Sequence, residues 1–345
     1  MTKQQGILVV GGAGYIGSHC VALLLEQGHN VIVLDNLSTG HRNAVPQGAT
    51  FVPGDLGNAS FLDELFAKYT IDAVFHFAAH SIVEESLKRP LAYYENNVTK
   101  TAVLLQAMER HDIQIFIFSS TAAVYGTPTA EIISEDHSTN PINPYGRSKL
   151  MVETMLSDAQ ATGKICFASL RYFNAAGADP AGSRGEDHRP ETHLVPRILL
   201  SILAHEGVPL HPEANIPPWV EVYGTDYDTP DGTCVRDFIH VNDLAEAHLL
   251  ALRYLETKGE PLICNLGLGK GFTVRQVIEA ACQVTGVKIP IEIKPRRRGD
   301  PARLVADPSL GGPLLGWTPR FNDLEAMLET AWAWHKNHPQ GYPDI

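Results

Sequence analysis

A glycine-rich turn between an apolar run and a helix-like run is the feature that most restricts the fold. The apolar run Ile7–Val10 precedes the turn, and the amphipathic run Ile16–Gln27 follows it. Gly11, Gly14 and Gly17 have the spacing that lets a backbone approach a pyrophosphate at a helix N-terminus. The order strand, glycine turn, helix therefore predicts the first unit of a dinucleotide-binding sheet.

Strand-like and helix-like segments alternate through the first half of the chain. Apolar runs typical of strands lie at Ile7–Val10, Val31–Leu34, Thr50–Val52, Ala73–Phe77, Ile115–Phe118 and Ile165–Leu170. Amphipathic runs typical of helices lie at Ile16–Gln27, Ala59–Tyr69, Leu91–Arg110 and Lys149–Ala161. The alternation predicts an α/β fold with a Rossmann-type, doubly wound parallel sheet and helices on both of its faces.

The sequence changes character after about residue 175, where glycine and proline become frequent and the predicted elements shorten. We therefore predict two lobes. Residues 1–174 form a dinucleotide-binding domain, to which segments from about 234–257 return. Residues 175–345 form a smaller α/β substrate-binding C-terminal lobe.

The composition limits the possible partners. Charged residues make up 19% of the 345 positions, and the net charge of −12 argues against nucleic acid as a partner. No apolar run is long enough to cross a bilayer and the start lacks a signal-peptide core, so we expect a cytoplasmic protein without a membrane partner. Five scattered cysteines form no metal-spaced cluster, so we expect no metal site.

An acidic residue ends the second predicted strand, as a dinucleotide site requires. The carboxylate of Asp35 would accept hydrogen bonds from both ribose hydroxyls and repel a 2′-phosphate, so the sequence favours NAD over NADP. Arg42 argues the other way, because a nearby arginine can accommodate that phosphate. Asp55, after the third strand, either meets the adenine or shapes a turn, and the sequence leaves both interpretations open.

Tyr145 and Lys149 are four residues apart, so a helix would place them on one face. Upstream, Ser119-Ser120-Thr121 follows a predicted strand and places the Thr121 hydroxyl at the sheet edge where catalytic groups of open α/β sheets collect. A phenol loses its proton at about pH 10, and a neighbouring ammonium favours the phenolate. The three residues are therefore predicted to remove a proton from a substrate alcohol.

Several separated segments resemble one family in the same order along the chain. They are Gly11–His19, Asp35–Leu37, Tyr93–Val98, Pro144–Lys149, Arg171–Asn174, Asp231–Asp237 and His338–Pro343. On these segments the chain resembles the extended short-chain dehydrogenase/reductases, and among them the UDP-sugar 4-epimerases of the UDP-glucose/UDP-galactose kind. The resemblance covers nearly the whole chain. It implies tightly held NAD and a homodimer built on helices of the first lobe.

The resemblance also implies a reaction, the interconversion of UDP-glucose and UDP-galactose. Tyr145 would take the proton from the sugar 4-hydroxyl while carbon 4 gives a hydride to the nicotinamide. The 4-keto sugar would then turn over, and the hydride would return to its other face. Lys149 would lower the pKa of Tyr145 and bind the nicotinamide ribose, and Thr121 would bond the reacting oxygen. Ala122 and Ala123 cannot move protons, which fits epimerisation rather than the dehydration or decarboxylation of related enzymes.

The family pattern assigns binding residues in both lobes. For NAD it implies Gly11, Gly14, Tyr15, Ile16, Gly17, Asp35, Asn36, Asp55, Leu56, Phe77, Ala78, Ala79, Asn96, Tyr145, Lys149 and Tyr172. For the UDP-sugar it implies Thr121, Tyr145, Phe173, Asn174, His193, Leu194, Tyr223, Arg236, Arg297, Asp300 and Leu304. Arg236 and Arg297 suit the diphosphate because guanidinium binds oxyanions bidentately, and within the run Arg296–Arg298 at least one phosphate contact is expected.

Four places differ from the usual pattern of that family. His193 replaces an asparagine that contacts substrate, and Ser81 replaces a lysine near the nicotinamide. The segment Pro209–Trp219 resembles an insertion in the second lobe. Leu304 occupies a position where tyrosine excludes N-acetylated sugars and small residues admit them. The alternatives left open are a UDP-xylose/UDP-arabinose or UDP-N-acetylhexosamine 4-epimerase and, in a different class, a non-catalytic NAD-binding regulator.

Overall fold

The predicted alternation of strands and helices is present in the computed structural model, which describes residues 4–297 and 299–343. In this part of the chain the strands are β1 (Gly6–Val10), β2 (Asn30–Asp35), β3 (Thr50–Pro53), β4 (Ala73–His76), β5 (Ile115–Ser119), β6 (Cys166–Tyr172), β7 (Asn174–Ala176), β8 (Val220–Tyr223), β9 (Val235–His240), β10 (Leu262–Leu266), β11 (Gly271–Thr273), β12 (Ile291–Lys294) and β13 (Arg303–Leu304). The α-helices are α1 (Tyr15–Glu26), α2 (Ala59–Lys68), α3 (Val83–Lys88), α4 (Pro90–Tyr94), α5 (Lys100–Arg110), α6 (Pro144–Ala161), α7 (Leu194–His205), α8 (Val241–Lys258), α9 (Val274–Thr285), α10 (Gly311–Leu315) and α11 (Leu324–Asn337).

The first lobe is built on a seven-stranded sheet with the order β10-β6-β5-β4-β1-β2-β3, and every pairing in it is parallel. The predicted fold class is confirmed. The strand order reverses between β1 and β4, and in such sheets the crevice beyond the carboxyl ends at the reversal is the place for a ligand.

Both faces of this sheet are covered by helices because its strands are apolar on both sides. Along β1, Ile7 and Val9 pack into a core shared with α1 and α8, whereas Leu8 and Val10 pack into a second core shared with α2, α5 and α6. Side chains that alternate along a strand point to opposite faces, so one fully buried strand contributes to two cores.

The second lobe is formed by shorter elements. Strands β11, β9 and β13 form a small sheet in which β7 also pairs with β9, and β12 pairs with β8. Helices α7, α9 and α11 share a third apolar core there.

The returning segment differs in extent from the predicted 234–257. Residues 235–240 form β9 of the small sheet, and α8 then packs against α1 and the large sheet. The return continues to β10, which adds an edge strand beside β6 and was not predicted. The division of the chain at residues 174 and 175 stays a prediction.

Two helices near the crevice differ from the predicted ones. The run predicted as a single helix, Leu91–Arg110, contains a π-helical turn at Glu95–Thr99 between α4 and α5. Helix α6 begins at Pro144, before the predicted Lys149, because the Asn143 side chain accepts a hydrogen bond of 2.8 Å from the Gly146 amide and proline suits the first helical position. No helix within residues 4–297 and 299–343 combines the length and apolarity that a membrane span needs.

Candidate active site

A cleft of about 940 Å³ opens at the carboxyl ends of the large sheet and extends to the second lobe. Every predicted site residue except Asp55 lines it. The carboxylate of Asp55 instead accepts hydrogen bonds from Lys100 Nζ at 2.6 Å and from the Gly57 amide at 2.8 Å. These bonds suit the turn interpretation of Asp55, and its contact with the adenine stays a prediction.

The glycine turn has a shape that fits a dinucleotide. A Cβ atom on Gly11 would lie 2.5 Å from the Ala78 amide nitrogen, and one on Gly17 would lie 2.2 Å from the Gly11 carbonyl oxygen. A Cβ on Gly14 would meet only that carbonyl oxygen, at 3.4 Å. Gly14 is the N-cap of α1 and supplies no side-chain cap, so the first amides of α1 remain available to an anion.

Asp35 is fixed at the end of β2, beside this turn. Its carboxylate accepts hydrogen bonds from the amides of Ala13 at 3.0 Å and Leu37 at 2.8 Å. Burial raises the pKa of Asp35, and these amides oppose the rise. The Arg42 guanidinium lies 4.6 Å above the Phe51 ring and does not line the cleft. The arginine that could have bound the 2′-phosphate of NADP is therefore engaged by Phe51.

The predicted catalytic residues meet where β5 ends and α6 begins. Burial raises the pKa of Tyr145, and a hydrogen bond with Thr121 opposes that rise. Lys149 Nζ donates a 2.7 Å hydrogen bond to the Ser119 carbonyl and lies 4.8 Å above the Phe118 ring. Burial lowers the pKa of Lys149 to about 7, against the pull of the Glu153 charge. Burial thus has the largest effect on the pKa of Tyr145 and Ser119 engages the ammonium, and the lowering of this pKa by Lys149 stays a prediction.

A buried ion pair beneath these residues was not predicted. Arg171 of β6 contacts Glu153 of α6 with Nη2–Oε2 at 2.6 Å, and their side chains are only 7% and 3% exposed. The same carboxylate accepts hydrogen bonds from the Ser120 hydroxyl at 2.6 Å and the Ser169 hydroxyl at 2.9 Å. Glu153 thus ties α6 to β5 and β6. Glu153 lies one turn after Lys149 on the buried face of a predicted helix, and this position could have indicated a buried partner for it.

The π-helical turn supplies a second unpredicted support. Asn97 accepts a hydrogen bond from the His80 amide at 2.8 Å, and its Nδ2 donates to the His80 carbonyl at 3.0 Å and to the Ser148 hydroxyl at 2.9 Å. Ser148 in turn donates to the Tyr145 carbonyl at 2.7 Å. Asn97 of the π-helical turn therefore connects the loop after β4 to the first turn of α6. π-helical turns are often found at functional sites.

Cationic side chains gather where the second lobe borders the cleft. Arg297 lies 4.6 Å above the Tyr223 ring, and its Nε is 3.0 Å from Oδ2 of Asp300. Arg236 lies 4.0 Å from the other oxygen of Asp300. Arg296 instead pairs with Asp226 at 2.7 Å. The third arginine of the predicted run, Arg298, lies outside the described residues.

Comparison with known proteins identifies the family. The sequence profile of the NAD dependent epimerase/dehydratase family matches residues 7–267. The chain belongs to this family. It is 51% identical to the UDP-glucose 4-epimerase of Halalkalibacterium halodurans, over 98% of each chain.

Solved structures of the family agree with this assignment. The UDP-glucose 4-epimerase from Bifidobacterium longum in complex with NAD+ and UDP superposes with a TM-score of 0.90, at 37% identity over 98% of this chain and 100% of that one. The UDP-Glc/GlcNAc 4-epimerase of Campylobacter jejuni superposes with a TM-score of 0.80, at 41% identity over 96% and 99%. The predicted family resemblance and the NAD cofactor are confirmed.

The positions that depart from the family pattern fall into two groups. His193, Ser81 and Leu304 line the cleft, and Leu304 packs against the apolar cluster that includes Ala122 and Phe173. The apparent insertion, residues 209–219, does not line it. Its Ala214 carbonyl accepts a 3.1 Å hydrogen bond from the Glu191 amide, so it supports the segment before α7 instead.

That segment carries residues that sequence reasoning missed. Glu186, His188 and Glu191 surround the predicted His193, and the four groups lie within 4.8 Å of one another. The sequence shows these residues as a Glu-x-His-x-x-Glu-x-His pattern. This spacing matches neither one face of a helix nor the alternation of a strand, so it did not predict that the four side chains meet.

Proposed function

We propose that this chain interconverts UDP-glucose and UDP-galactose by transient oxidation at carbon 4 of the sugar. The observation that carries the proposal is the placement of Thr121, Tyr145 and Lys149 in the same cleft as the glycine turn and Asp35. A phenol beside a hydroxyl and an ammonium at a dinucleotide site suits proton removal from a secondary alcohol. The names of the relatives give the substrate class.

In this proposal the side chains bind the sugar and move its proton. The glycine turn and Asp35 would hold NAD, which would supply a reversible hydride acceptor for carbon 4, so the reaction would have no net oxidation. Tyr145 accepts the proton of the 4-hydroxyl, and Thr121 holds the reacting oxygen. Because burial opposes ionisation of Tyr145, the phenolate needs a nearby positive charge, and Lys149 is the cation one helical turn away.

The residues next to Thr121 favour epimerisation over related reactions. Ala122 and Ala123 line the cleft and carry no group that can donate or accept a proton. Elimination of water would require an additional acid or base at this point, whereas epimerisation requires none.

The remaining predicted roles are proposals of the same kind. Arg236 and Arg297 would bind the diphosphate, and the other lining residues of the second lobe would bind the nucleoside and sugar. A homodimer through α4 and α6 is supported by Leu91 and Met151, which are apolar, 79% and 45% exposed, and carried by helices that pack together. Five free cysteines suit the reducing cytoplasm.

A substrate panel tests the proposed activity. Purified protein is incubated with UDP-galactose, UDP-N-acetylgalactosamine or UDP-xylose without added NAD, and the product is quantified by chromatography. We expect UDP-glucose from UDP-galactose, with NAD released only on denaturation. Faster turnover of the N-acetyl sugar would support the alternative that the Campylobacter jejuni relative's name suggests. Bound NAD without turnover of any of the three would favour the non-catalytic regulator.

A further inference from the structure

Two histidines and two glutamates meet where α7 begins. The Glu186 and Glu191 side chains are 5% and 1% exposed. The His193 side chain is 39% exposed, and this residue lines the cleft. The His188 ring lies beside that of His193, tilted by 47° and with 4.7 Å between ring centroids. The cluster is therefore buried on its carboxylate side and open to the cleft at His193.

Both carboxylates contact one nitrogen of His193. Its Nδ1 lies 3.0 Å from Oε1 of Glu186 and 3.0 Å from Oε1 of Glu191. The Glu191 oxygen is itself fixed by the amides of Thr192 at 2.7 Å and His193 at 2.8 Å. Since Nδ1 is held by acceptors, Nε2 is the nitrogen available to a ligand in the cleft.

The two carboxylates also keep both imidazoles protonated. Burial lowers the pKa of His193, but the charges and hydrogen bonds of Glu186 and Glu191 outweigh burial and raise it well above its ordinary value. The same carboxylates raise the pKa of His188 to about 9 against the effect of burial. Two imidazolium and two carboxylate groups balance each other, which makes their burial tolerable.

Among the described residues, the neighbouring groups are either neutral or paired with other partners. Burial raises the pKa of Tyr15 on α1 and lowers that of His335 on α11, so both stay neutral near pH 7. Arg197, in the first turn of α7, donates to the Glu191 carbonyl and pairs with Glu221, both at 3.1 Å. On the loop itself, Asp187 and Arg189 pair with each other at 3.1 Å. Glu186 and Glu191 are therefore the charges that set the protonation of His193.

We propose that Glu186 and Glu191 are positioning residues that hold His193 as a permanent cation, whose Nε2–H binds the diphosphate of the nucleotide sugar. This inference rests on the proposed function, because its ligand is a UDP-sugar. His193 is the N-cap of α7 and gives that helix no side-chain cap, so the imidazolium and the positive end of the helix coincide. Arg236 and Arg297 line the same cleft, and an anion is the ligand that all three suit.

The test measures UDP-glucose affinity by calorimetry, with KM and kcat in parallel, between about pH 6 and pH 8. The diphosphate of UDP-glucose is esterified at both ends and does not titrate in this range. Wild type should bind with nearly constant affinity. In Glu191→Gln the pKa of His193 falls toward its ordinary value, so Kd and KM should be near normal at the acidic end and rise about tenfold at the basic end, with little change in kcat. Glu206→Gln, an exposed change just after α7, is the matched control.

Two further variants separate this role from simple support of the loop. His193→Gln should raise Kd at every pH, and the double variant Glu191→Gln/His193→Gln should show no pH dependence because the titrating group is gone. A pH-independent loss in Glu191→Gln, or a pH dependence that persists in the double variant, would overturn the inference. Loss of wild-type affinity on chelation of metals would overturn it as well. A wild type that binds UDP-glucose as described but turns none over would refute the proposed activity alone.

Discussion

Replacement of Glu153 by glutamine tests how the catalytic helix is held. The change leaves the Arg171 guanidinium buried without its counter-charge, although Tyr125 still accepts a hydrogen bond from it at 3.0 Å. Breaking a buried ion pair in this way costs about 3–5 kcal/mol. With an unfolding entropy of about 2.1 cal/mol/K per residue, that loss lowers the melting temperature of a chain of this length by ~4–7 °C.

The assay is calorimetric unfolding of the NAD-bound protein at neutral pH. The control is Asp158→Asn, which removes an exposed carboxylate from the same helix and should leave the melting temperature unchanged. The double variant Glu153→Leu/Arg171→Met should recover part of the loss, because an apolar pair carries no desolvation cost. If Glu153→Gln melts within about 1 °C of the control, the ion pair does not anchor α6 and the reasoning fails.

Three other changes have clear expected outcomes. Tyr145→Phe should lower turnover by about 10²–10⁴-fold while NAD stays bound, which steady-state rates and NAD release measure, and a near-normal rate would remove the phenol from the mechanism. Leu304→Tyr should narrow the cleft and lower kcat/KM for UDP-N-acetylgalactosamine relative to UDP-galactose by about tenfold, and unchanged selectivity would exclude Leu304 as the gate. Burial lowers the pKa of His248 from 6.5 to about 4, so the unfolded state takes up its proton first and stability falls as pH drops through this range. His248→Gln should therefore reduce the slope of unfolding free energy against pH there by about 1.4 kcal/mol per pH unit, as measured by urea unfolding, and an unchanged slope would show that His248 does not titrate in this window.

Short-range patterns in the sequence were sufficient for much of the fold and the candidate site. The glycine turn, the acid at the end of β2 and the i,i+4 spacing of Tyr145 and Lys149 are local features whose geometry follows from one turn or one helix. The parallel sheet followed from the alternation of apolar and amphipathic runs. The second lobe was harder to predict because its strands are short and β10 returns to the large sheet only after α8.

What the sequence could not specify depends on contacts between distant residues. The 4-residue spacing placed Lys149 near Tyr145, but the carbonyl of Ser119 and the burial of the phenol decide where the ammonium bonds and how Tyr145 titrates. Glu153 meets Arg171 only because α6 packs on β6.

Local spacing and tertiary packing therefore determined different features of this protein. The sequence by itself determined that a dinucleotide turn and a Tyr/Lys pair share one α/β domain, because each depends on backbone spacing alone. Only the tertiary structure decided that two buried carboxylates enclose His193 and that Asp55 pairs with Lys100. Burial and charge pairing arise when elements pack, and the spacing of residues along a chain does not encode them directly.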